Sequence, residues 1–562
     1  MADSAGARWA VRILAGTSLV LAVHLLVVAL ILPPNDPASM RPWPLSLEFS
    51  FLGTSSSSSS SVVGDDTDGV HNFGAPLAPE TPPPGSPWYA PRATHLNNLT
   101  TALSSTTTGV YGFLFNGSTT PEGQYGVYNW CNMPHVRPAE YHDLIPPADE
   151  HRTLVYVELV HRHHKRTPYA ANGFPHEKYD WNCQDARIHL YGKPSDKEAK
   201  TPGVAHYEPT YDTPGNPFLA AALGWHGSCQ FPQLTAGGLD DAWQHGADLY
   251  EVYHGLLGIL PAVDDTAAWR DHVAFRVTNN PITSQTVTMV LGGMAASAGL
   301  DATNIPDIPL LVEAAGYDGL EPQYTCPAAA SLFAAITQPT PQENGSPAWA
   351  DHLEKLAPLF ATLDTASGVD PANPRGFHES VDHYYDNLSA RQCHGQPPAV
   401  GVSQEVADTV FRVGQWEYSR MYRDDARSLA ASVGAWGVWV AQLAGHLRGA
   451  RDATSSIRYR HNVAHDGSLS RLLSILQADE MVWPGMGSEV VVELWKKEGE
   501  GEGASPSFDV RVLFSGRVLR SSHPELGLLD MVPLDALLTY IDRLVGVDAS
   551  LLPAKCDGSS PL

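Results

Sequence analysis

Residues 154–168 read Leu-Val-Tyr-Val-Glu-Leu-Val-His-Arg-His-His-Lys-Arg-Thr-Pro. The run begins with apolar and β-branched residues over the length of a buried strand, and Pro168 then ends any regular element. Two arginines and three histidines lie between them. In open α/β sheets, ligands bind beyond the carboxyl ends of the strands. A strand leading into a cationic loop therefore predicts an anion site, and a solvated basic loop is the simpler alternative.

The residue types in this loop suit a phosphate-like anion. Arg162 and Arg166 each offer two parallel N–H donors to a planar or tetrahedral anion. His163 lies between them and is a candidate nucleophile or general base. The loop thus combines charge neutralisation with a reactive side chain.

A second strand-to-helix transition occurs later in the chain. Residues 457–466 read Ile-Arg-Tyr-Arg-His-Asn-Val-Ala-His-Asp and alternate like a strand. Leucines at helical spacing follow from Leu469, and either Asp466 or Ser468 is predicted to cap that helix. His465 and Asp466 are therefore predicted at the end of a strand, although an Asp cap beside an incidental histidine is the alternative.

The run Arg162-His163-His164-Lys165-Arg166-Thr167-Pro168 resembles the RHGxRxP signature of the histidine acid phosphatases, the second branch of the histidine phosphatase superfamily. The pair His465-Asp466 resembles the HD pair of that family. The resemblance covers roughly residues 125–545 and implies a phosphoglycerate mutase-like α/β fold. We expect a mixed central sheet flanked by helices, with its core at about 150–200, 230–300 and 425–545 and an inserted, mostly helical cap at about 300–425.

The resemblance also implies a role for each motif residue. His163 would attack phosphorus and form phosphohistidine, while Arg162 and Arg166 would bind the phosphoryl oxygens. His465 would add a further donor to those oxygens. Asp466 would protonate the leaving group and later activate water. Neither a metal nor a cofactor is needed for this chemistry.

The sequence departs from the family at two positions. His164 replaces a glycine, and its ring is expected to narrow or reshape the pocket. The block at 273–285 resembles a family motif, but the third phosphate-binding arginine is Ile282 here. Loss of such a donor costs on the order of 10²–10³ in rate. His164, Lys165 and Arg276 are possible accessory residues, and a pseudophosphatase that binds phosphorylated or anionic ligands is the alternative function.

A metal site formed by His161, His163 and His164 is a third hypothesis. Strand alternation predicts His161 and His163 on one face and His164 on the other, which disfavours convergence on one ion. The motif comparison favours phosphate chemistry over this hypothesis.

The composition limits the partners. The chain has 562 residues and a formal charge of −26, which argues against nucleic acid as a ligand. The expected partner is instead a phosphorylated small molecule or glycan that reaches a locally cationic site. The sequence leaves the oligomeric state open.

Residues 1–32 carry a targeting signal. Arg8 and Arg12 precede an apolar run over 13–32, which is long enough to span a bilayer and favours a type II signal anchor. A cleaved signal peptide is the alternative. A Ser/Pro-rich stem is expected at 33–105, followed by the phosphatase-like domain at 106–562. Localisation is expected at a Golgi or ER membrane facing the lumen or at the cell surface, or as a secreted protein after cleavage.

Cysteines and glycosylation sequons agree with an oxidising compartment. All six cysteines follow the anchor, so disulfide bonds are expected, and six cysteines allow 15 pairings. Acceptor sequons for N-glycans occur at Asn98, Asn116 and Asn387.

Overall fold

The computed structural model describes residues 87–104, 128–177, 179–183, 185–186, 189–191, 203–205, 227–300, 308–338, 346–499 and 505–562. The predicted anchor at 1–32 and the sequon at Asn116 lie outside these residues. Within the described part of the chain, no helix combines the length and apolarity that a membrane crossing requires.

An eight-stranded mixed sheet forms the centre of the fold. Its strands run in the order β10-β8-β7-β1-β6-β4-β5, and β9 pairs with β8. The strands of this sheet are β1 (Arg152–Arg162), β4 (Val273–Val277), β5 (Leu310–Leu311), β6 (Tyr459–Ala464), β7 (Glu489–Lys497), β8 (Ser507–Phe514), β9 (Arg517–Val518) and β10 (Val532–Pro533). A separate two-stranded sheet is formed by β2 (His189–Tyr191) and β3 (Gly203–Ala205).

The pairing of β1 decides where the two sequence motifs meet. Strand β1 is parallel to β6, with Arg162 opposite Ala464, and antiparallel to β7 on its other side. Strand β4 is parallel to β6 on the far side. The carboxyl ends of β1, β6 and β4 therefore lie side by side, at the edge where open α/β sheets bind their ligands.

Helices cover the sheet. They are α1 (Leu99–Ser104), α2 (Pro138–Tyr141), α3 (Ala236–Tyr250, continued by a π-helical turn at Glu251–Leu256), α4 (Thr266–His272), α5 (Pro281–Ser297), α6 (Pro327–Thr337), α7 (Pro347–Ser367), α8 (Asp382–Cys393), α9 (Gln404–Ser419), α10 (Ser428–Arg451), α11 (Asp466–Ile475), α12 (Leu534–Val545) and α13 (Leu552–Cys556). Strand β1 alternates between two apolar cores: Val157 and Leu159 pack with α3 and α5, whereas Tyr156 and Val160 pack with α9 to α12.

The predicted mixed α/β sheet with flanking helices is confirmed. The two long helices predicted within 404–448 correspond to α9 and α10, and the predicted strand pair after the His-Asp motif corresponds to β7 and β8. Between β5 and α9 the described residues form three helices, α6, α7 and α8, joined by turns and irregular segments, and the inserted cap stays a prediction.

The predicted stem is wrong at its carboxyl end. Residues 87–104 pack on the domain, where Trp88 is only 3% exposed and Leu96 is buried. Nε1 of Trp88 donates to the carbonyl oxygen of Arg423 over 3.0 Å, and Nε of Arg412 donates to the carbonyl oxygen of Ala102 over 3.0 Å. The stem composition therefore ends before Trp88, because this segment carries enough apolar surface to bury.

All six cysteines form disulfide bonds, as the composition predicts. The pairs are Cys131–Cys393, Cys183–Cys229 and Cys326–Cys556. The first pair joins the segment before β1 to the end of α8, and the third joins α6 to α13.

The sequon at Asn387 is not a glycosylation site in this fold. Asn387 lies inside α8 with its side chain fully buried, and its Nδ2 donates to the carbonyl oxygen of Asn172 over 3.2 Å. A glycan on this nitrogen has no path to solvent, so this prediction is wrong.

Candidate active site

The two motifs meet at the adjacent ends of β1 and β6. The backbone N–H of His163 donates to the carbonyl oxygen of Ala464 over 3.1 Å. The imidazole centroids of His163 and His465 are 5.5 Å apart, and Nη2 of Arg162 lies 3.0 Å from Oδ2 of Asp466. Residues separated by about 300 positions therefore share one site, because parallel pairing brings their strands to the same edge.

The environment of His163 selects one neutral tautomer. Its Nδ1 lies 3.0 Å from the carbonyl oxygen of His164, which accepts hydrogen bonds and cannot donate them. Nδ1 therefore carries the proton, and Nε2 keeps its lone pair. Burial, reinforced by Arg162 and then Arg166, holds the pKa of His163 well below its usual value. The neutral form has a nucleophilic nitrogen.

Arg162 is buried at the base of the site. Its Nη1 donates to the carbonyl oxygen of Pro484 over 2.5 Å, and its guanidinium lies 4.7 Å from the ring centroid of Trp130. Together with the ion pair to Asp466, these contacts fix the plane of the guanidinium. Trp130 belongs to the segment before β1, so that segment helps to build the site.

Arg166 is oriented by a carboxylate on α8. Its Nη1 lies 3.0 Å from Oδ1 of Asp386 on α8, and its guanidinium lies 4.0 Å from the ring centroid of Tyr169. Asp386 also accepts from the backbone N–H of Tyr169 and from Nδ2 of Asn172, at 3.0 and 2.9 Å. Helix α8 therefore holds the second arginine of the motif in place through Asp386.

Asp466 is the first residue of α11 and accepts several hydrogen bonds. Its Oδ2 accepts from Nε1 of Trp483 over 2.8 Å and from the hydroxyl of Tyr418 over 3.4 Å, and its Oδ1 accepts from the N–H of Gly467 over 2.8 Å. Burial alone raises the pKa of this carboxyl, but Arg162, Trp483 and Arg166 outweigh it and lower the pKa below the usual value. Asp466 is therefore ionised in the free site.

The prediction that Asp466 or Ser468 caps the helix is wrong. The residue at the N-cap is His465, whose side chain makes no cap hydrogen bond. The Asp466 carboxylate is used by the site instead, while the hydroxyl of Ser468 donates to the carbonyl oxygen of Leu320 over 2.8 Å.

His465 lies at the mouth of the site. Its Nε2 is 3.0 Å from the hydroxyl of Thr278 and 3.7 Å from Oε1 of Glu321. Burial lowers the pKa of His465 to about 4, with the Asp466 charge opposing this shift. Burial also raises the pKa of Glu321 to about 7. The side chains of His465 and Asp466 are 12% and 22% exposed, whereas His163 is 1% exposed, so solvent reaches the site from this side.

Two of the predicted accessory residues are paired with carboxylates. Nζ of Lys165 lies 2.9 Å from Oδ2 of Asp241, and both side chains are buried. Nη2 of Arg276 lies 2.8 Å from Glu313 and 3.1 Å from Asp318. Each of these two cations thus has a carboxylate partner of its own, as Arg162 and Arg166 also have, so the accessory role of Lys165 and Arg276 stays a prediction.

Ile282 is buried in the first turn of α5 and donates only its backbone N–H, to Oδ1 of Asn280 over 3.2 Å. The next residue, Thr283, has its hydroxyl 3.2 Å from that of Thr278, which contacts His465. The departure from the family pattern is therefore next in sequence to Thr283, which reaches the site through Thr278.

His164 points away from the phosphate loop. Its Nε2 lies 3.0 Å from Nε2 of His161 and 3.4 Å from Nδ1 of His245 on α3. The alternation rule gave the opposite arrangement, because it was extended past the end of β1 at Arg162. His161 and His164 are therefore together, and His163 lies beside His465 instead.

Sequence reasoning missed five residues that shape the site. No local motif marks them, and their role follows from distant chain segments meeting in three dimensions. Only Thr278 lies in a block that the family resemblance had already singled out. These residues are Trp130, Thr278, Asp386, Tyr418 and Trp483.

Comparisons with known proteins give distant likenesses. No family model matches the sequence. A curated relative is "Counting factor 60" of Dictyostelium discoideum, which is 23% identical over 371 residues, covering 66% of this chain and 81% of that protein. This identity is too low to assign a family.

Several solved structures that match are phytases, and one is a multiple inositol polyphosphate phosphatase. The apo form of Hafnia alvei phytase has 13% identity and a TM-score of 0.42, and the match covers 72% of this chain and 99% of the phytase. The phytase from D. castellii has 14% identity and a TM-score of 0.41, covering 77% and 91%. The Bifidobacterium longum multiple inositol polyphosphate phosphatase, complexed with inositol hexasulfate, has 12% identity and a TM-score of 0.36, covering 70% and 92%.

Proposed function

We propose that this chain is a phosphomonoester hydrolase that works through a phosphohistidine intermediate. The observation that carries the proposal is the convergence of His163, whose Nε2 keeps a lone pair, with Arg162, Arg166, His465 and Asp466 at one sheet edge. A nucleophile, anion-binding cations and a proton carrier are the groups that phosphoryl transfer requires.

The first half-reaction transfers the phosphoryl group to His163. Nε2 forms a bond to phosphorus as the bond from phosphorus to the leaving oxygen breaks, and Asp466 gives its proton to that oxygen. Arg162 and Arg166 neutralise the non-bridging oxygens. In the second half, Asp466 takes a proton from water, which attacks phosphorus and releases inorganic phosphate and His163. The chemical steps are assigned to side chains and use no metal.

The proton on Asp466 can arrive with the substrate. Asp466 is ionised in the free site because it is paired with Arg162. A bound phosphate competes for Arg162 and adds negative charge, and both effects raise the pKa of the carboxyl. A phosphate monoanion can therefore pass its own proton to Asp466, because phosphate monoesters have a second pKa of about 6.

We propose the secretory pathway as the setting. Three disulfide bonds support an oxidising compartment, and the apolar run at 13–32 supports a membrane anchor. The substrate would be a phosphorylated small molecule or glycan. Hafnia alvei phytase in complex with myo-inositol hexakis sulphate offers a precedent for a polyanionic ring ligand in a similar structure.

One structural relationship favours a second function, ligand binding without turnover. Arg162 is already engaged by Asp466 and Pro484, and Ile282 supplies no charge where the family has a third arginine. A site whose two arginines are already paired with carboxylates can hold an anion and still stabilise the transition state poorly.

The deciding experiment measures phosphate release by the purified full-length protein from an aryl phosphate, with chelator present, at pH values from about 4 to 7. We expect turnover that falls on the order of 10⁴-fold or more in His163→Ala, the loss typical of removing a nucleophile. His352→Gln is the matched control, because His352 is also buried but pairs with Glu417.

Wild-type turnover no greater than that of folded His163→Ala would overturn the hydrolase assignment. Inorganic phosphate would then be titrated while the melting temperature is recorded. A rise that is absent in Arg162→Ala would support the binding function.

A further inference from the structure

Three buried histidines meet on the α3 side of β1. Nε2 of His161, Nε2 of His164 and Nδ1 of His245 all lie within 4.8 Å of one another, and all three side chains are fully buried. They come from the end of β1, the loop after it and the middle of α3. The proposed phosphoryl-transfer mechanism uses none of these three histidines. His163, the proposed nucleophile, is turned the other way, toward His465.

Hydrogen bonds within the described residues leave one ring nitrogen of this cluster without a partner. A neutral imidazole has one N–H, and Nε2 of His245 is 2.9 Å from Oε2 of Glu489, which accepts that proton. Nδ1 of His245 then presents a lone pair to Nε2 of His164. If Nε2 of His164 carries its proton, it can donate to His161 or to His245. Nδ1 of His164 has no hydrogen-bond partner in the described part of the chain.

The spacing of these nitrogens fits a tetrahedral ion. Nε2 of His164 is 3.0 Å from Nε2 of His161 and 3.4 Å from Nδ1 of His245. Zinc binds imidazole nitrogen at about 2.0–2.1 Å, which places neighbouring ligands of a tetrahedron about 3.3–3.4 Å apart. The third pair, Nε2 of His161 and Nδ1 of His245, lies within 4.8 Å, so ring rotation must close the remaining edge of the tetrahedron.

Two of the three rings have outer partners of the kind that metal ligands use. Besides the His245–Glu489 contact, Nδ1 of His161 lies 3.2 Å from Nε2 of His461, whose Nδ1 is 3.2 Å from the hydroxyl of Tyr459. A carboxylate or polar group on the distal nitrogen fixes ring orientation and raises ligand basicity. The three imidazole ligands are neutral, and Glu489, which contacts His245, supplies an acidic group next to them.

The local backbone makes room for the His164 ring. Gly487 has a φ of +71°, and a Cβ at this position would lie 2.5 Å from Cε1 of His164. The ring of His164 therefore fits only because residue 487, on the facing loop, is a glycine.

We propose that His161, His164 and His245 bind one zinc-type divalent ion, with a water molecule in the fourth position. Imidazole ligands suit Zn²⁺ among the borderline ions. The ion would tie the nucleophile loop to α3 and would not act on the substrate. Because the ligands are buried, it would enter during folding and resist chelators in the native protein.

The test measures metal in the purified full-length protein, without a histidine tag, by mass spectrometry. We expect about one equivalent of zinc per chain after expression with zinc, and a visible tetrahedral spectrum after unfolding and refolding with Co²⁺. Fewer than about 0.1 equivalents in the wild type, both as expressed and after refolding with zinc, would overturn the proposal.

Variants locate the site. His164→Gly and His245→Gln should reduce zinc content by at least about tenfold, and Glu489→Gln should weaken affinity about 10–100-fold. His352→Gln, which changes a buried histidine paired with Glu417, should retain the metal. Equal zinc content in the wild type and folded His164→Gly and His245→Gln would contradict the assignment. If these variants do not fold, the wild-type stoichiometry and cobalt spectrum still decide.

Discussion

Nη2 of Arg162 lies 3.0 Å from Oδ2 of Asp466. In the free site, the charge of the arginine proposed to bind phosphate is therefore neutralised by the carboxylate proposed to carry the proton. Substrate binding must therefore redistribute charge between them. A phosphate that takes the guanidinium leaves the carboxylate beside the leaving oxygen, where its affinity for a proton rises.

Asp466→Asn should separate substrates by leaving group. The amide cannot donate a carboxylic proton, so we expect kcat/KM for alkyl phosphates to fall on the order of 10²–10⁴-fold. Nitrophenyl phosphate should lose much less in the first step, because its leaving oxygen needs no proton. An equal loss for both substrates would show that Asp466 acts in another way.

The pH profile should have limbs of different origin. The reactive complex carries one proton, on Asp466 or on the phosphate. We expect kcat/KM to be high between two limits. At the low limit His465, with a pKa of about 4, and Asp466, with a pKa below its usual value, take up protons in the free site. The high limit is the second pKa of the substrate. Above about pH 6 it should fall tenfold per unit as the ester loses that proton. Initial rates at low substrate concentration give this profile.

Trp483→Phe distinguishes the two limbs. Removing the 2.8 Å hydrogen bond from Nε1 raises the pKa of Asp466, because it removes a donor that stabilises the ionised form. The low-pH limb should therefore move to higher pH, while the upper limb stays with the substrate. Movement of the upper limb instead would assign that limb to the protein.

Patterns in the sequence predicted the elements but not all of their contacts. The apolar alternation of β1 and β6 and the spacing in α9 and α10 were sufficient, because burial of one face leaves a period of 2 or 3.6. Placing residue 163 beside residue 465 required the family resemblance, since no local pattern encodes which strands pair.

Two failures have identifiable physical causes. Alternation applies only while the backbone stays extended, and β1 ends at Arg162, so His164 turned toward His161 and His245. The pairing of Arg166 with Asp386 joins residues 220 positions apart in the chain. Such contacts arise from tertiary packing and leave no periodic signal.

Gly293→Ala should destabilise the contact between α3 and α5. A Cβ on Gly293 would lie 1.8 Å from the carbonyl oxygen of Trp243, so the helices must separate, at a cost of about 1–3 kcal/mol or more. The neighbouring Gly292→Ala is the control, since its Cβ would meet only the Trp243 ring at 3.5 Å. Alanine there should add about 0.5–1 kcal/mol of helix stability. Denaturant unfolding with disulfides intact measures both, and similar midpoints for the two variants would contradict the packing argument.

Trp88→Ala tests whether the segment at 87–104 is part of the folded domain. The indole is 3% exposed and donates to the carbonyl oxygen of Arg423, so truncation should lower the unfolding free energy by about 3–5 kcal/mol. Trp243, which is 38% exposed, supplies the control, because Trp243→Ala removes less buried surface and should cost clearly less. Urea titrations of the full-length proteins compare the two variants. Equal losses would mean that this segment contributes no more than a surface side chain and would restore the longer stem.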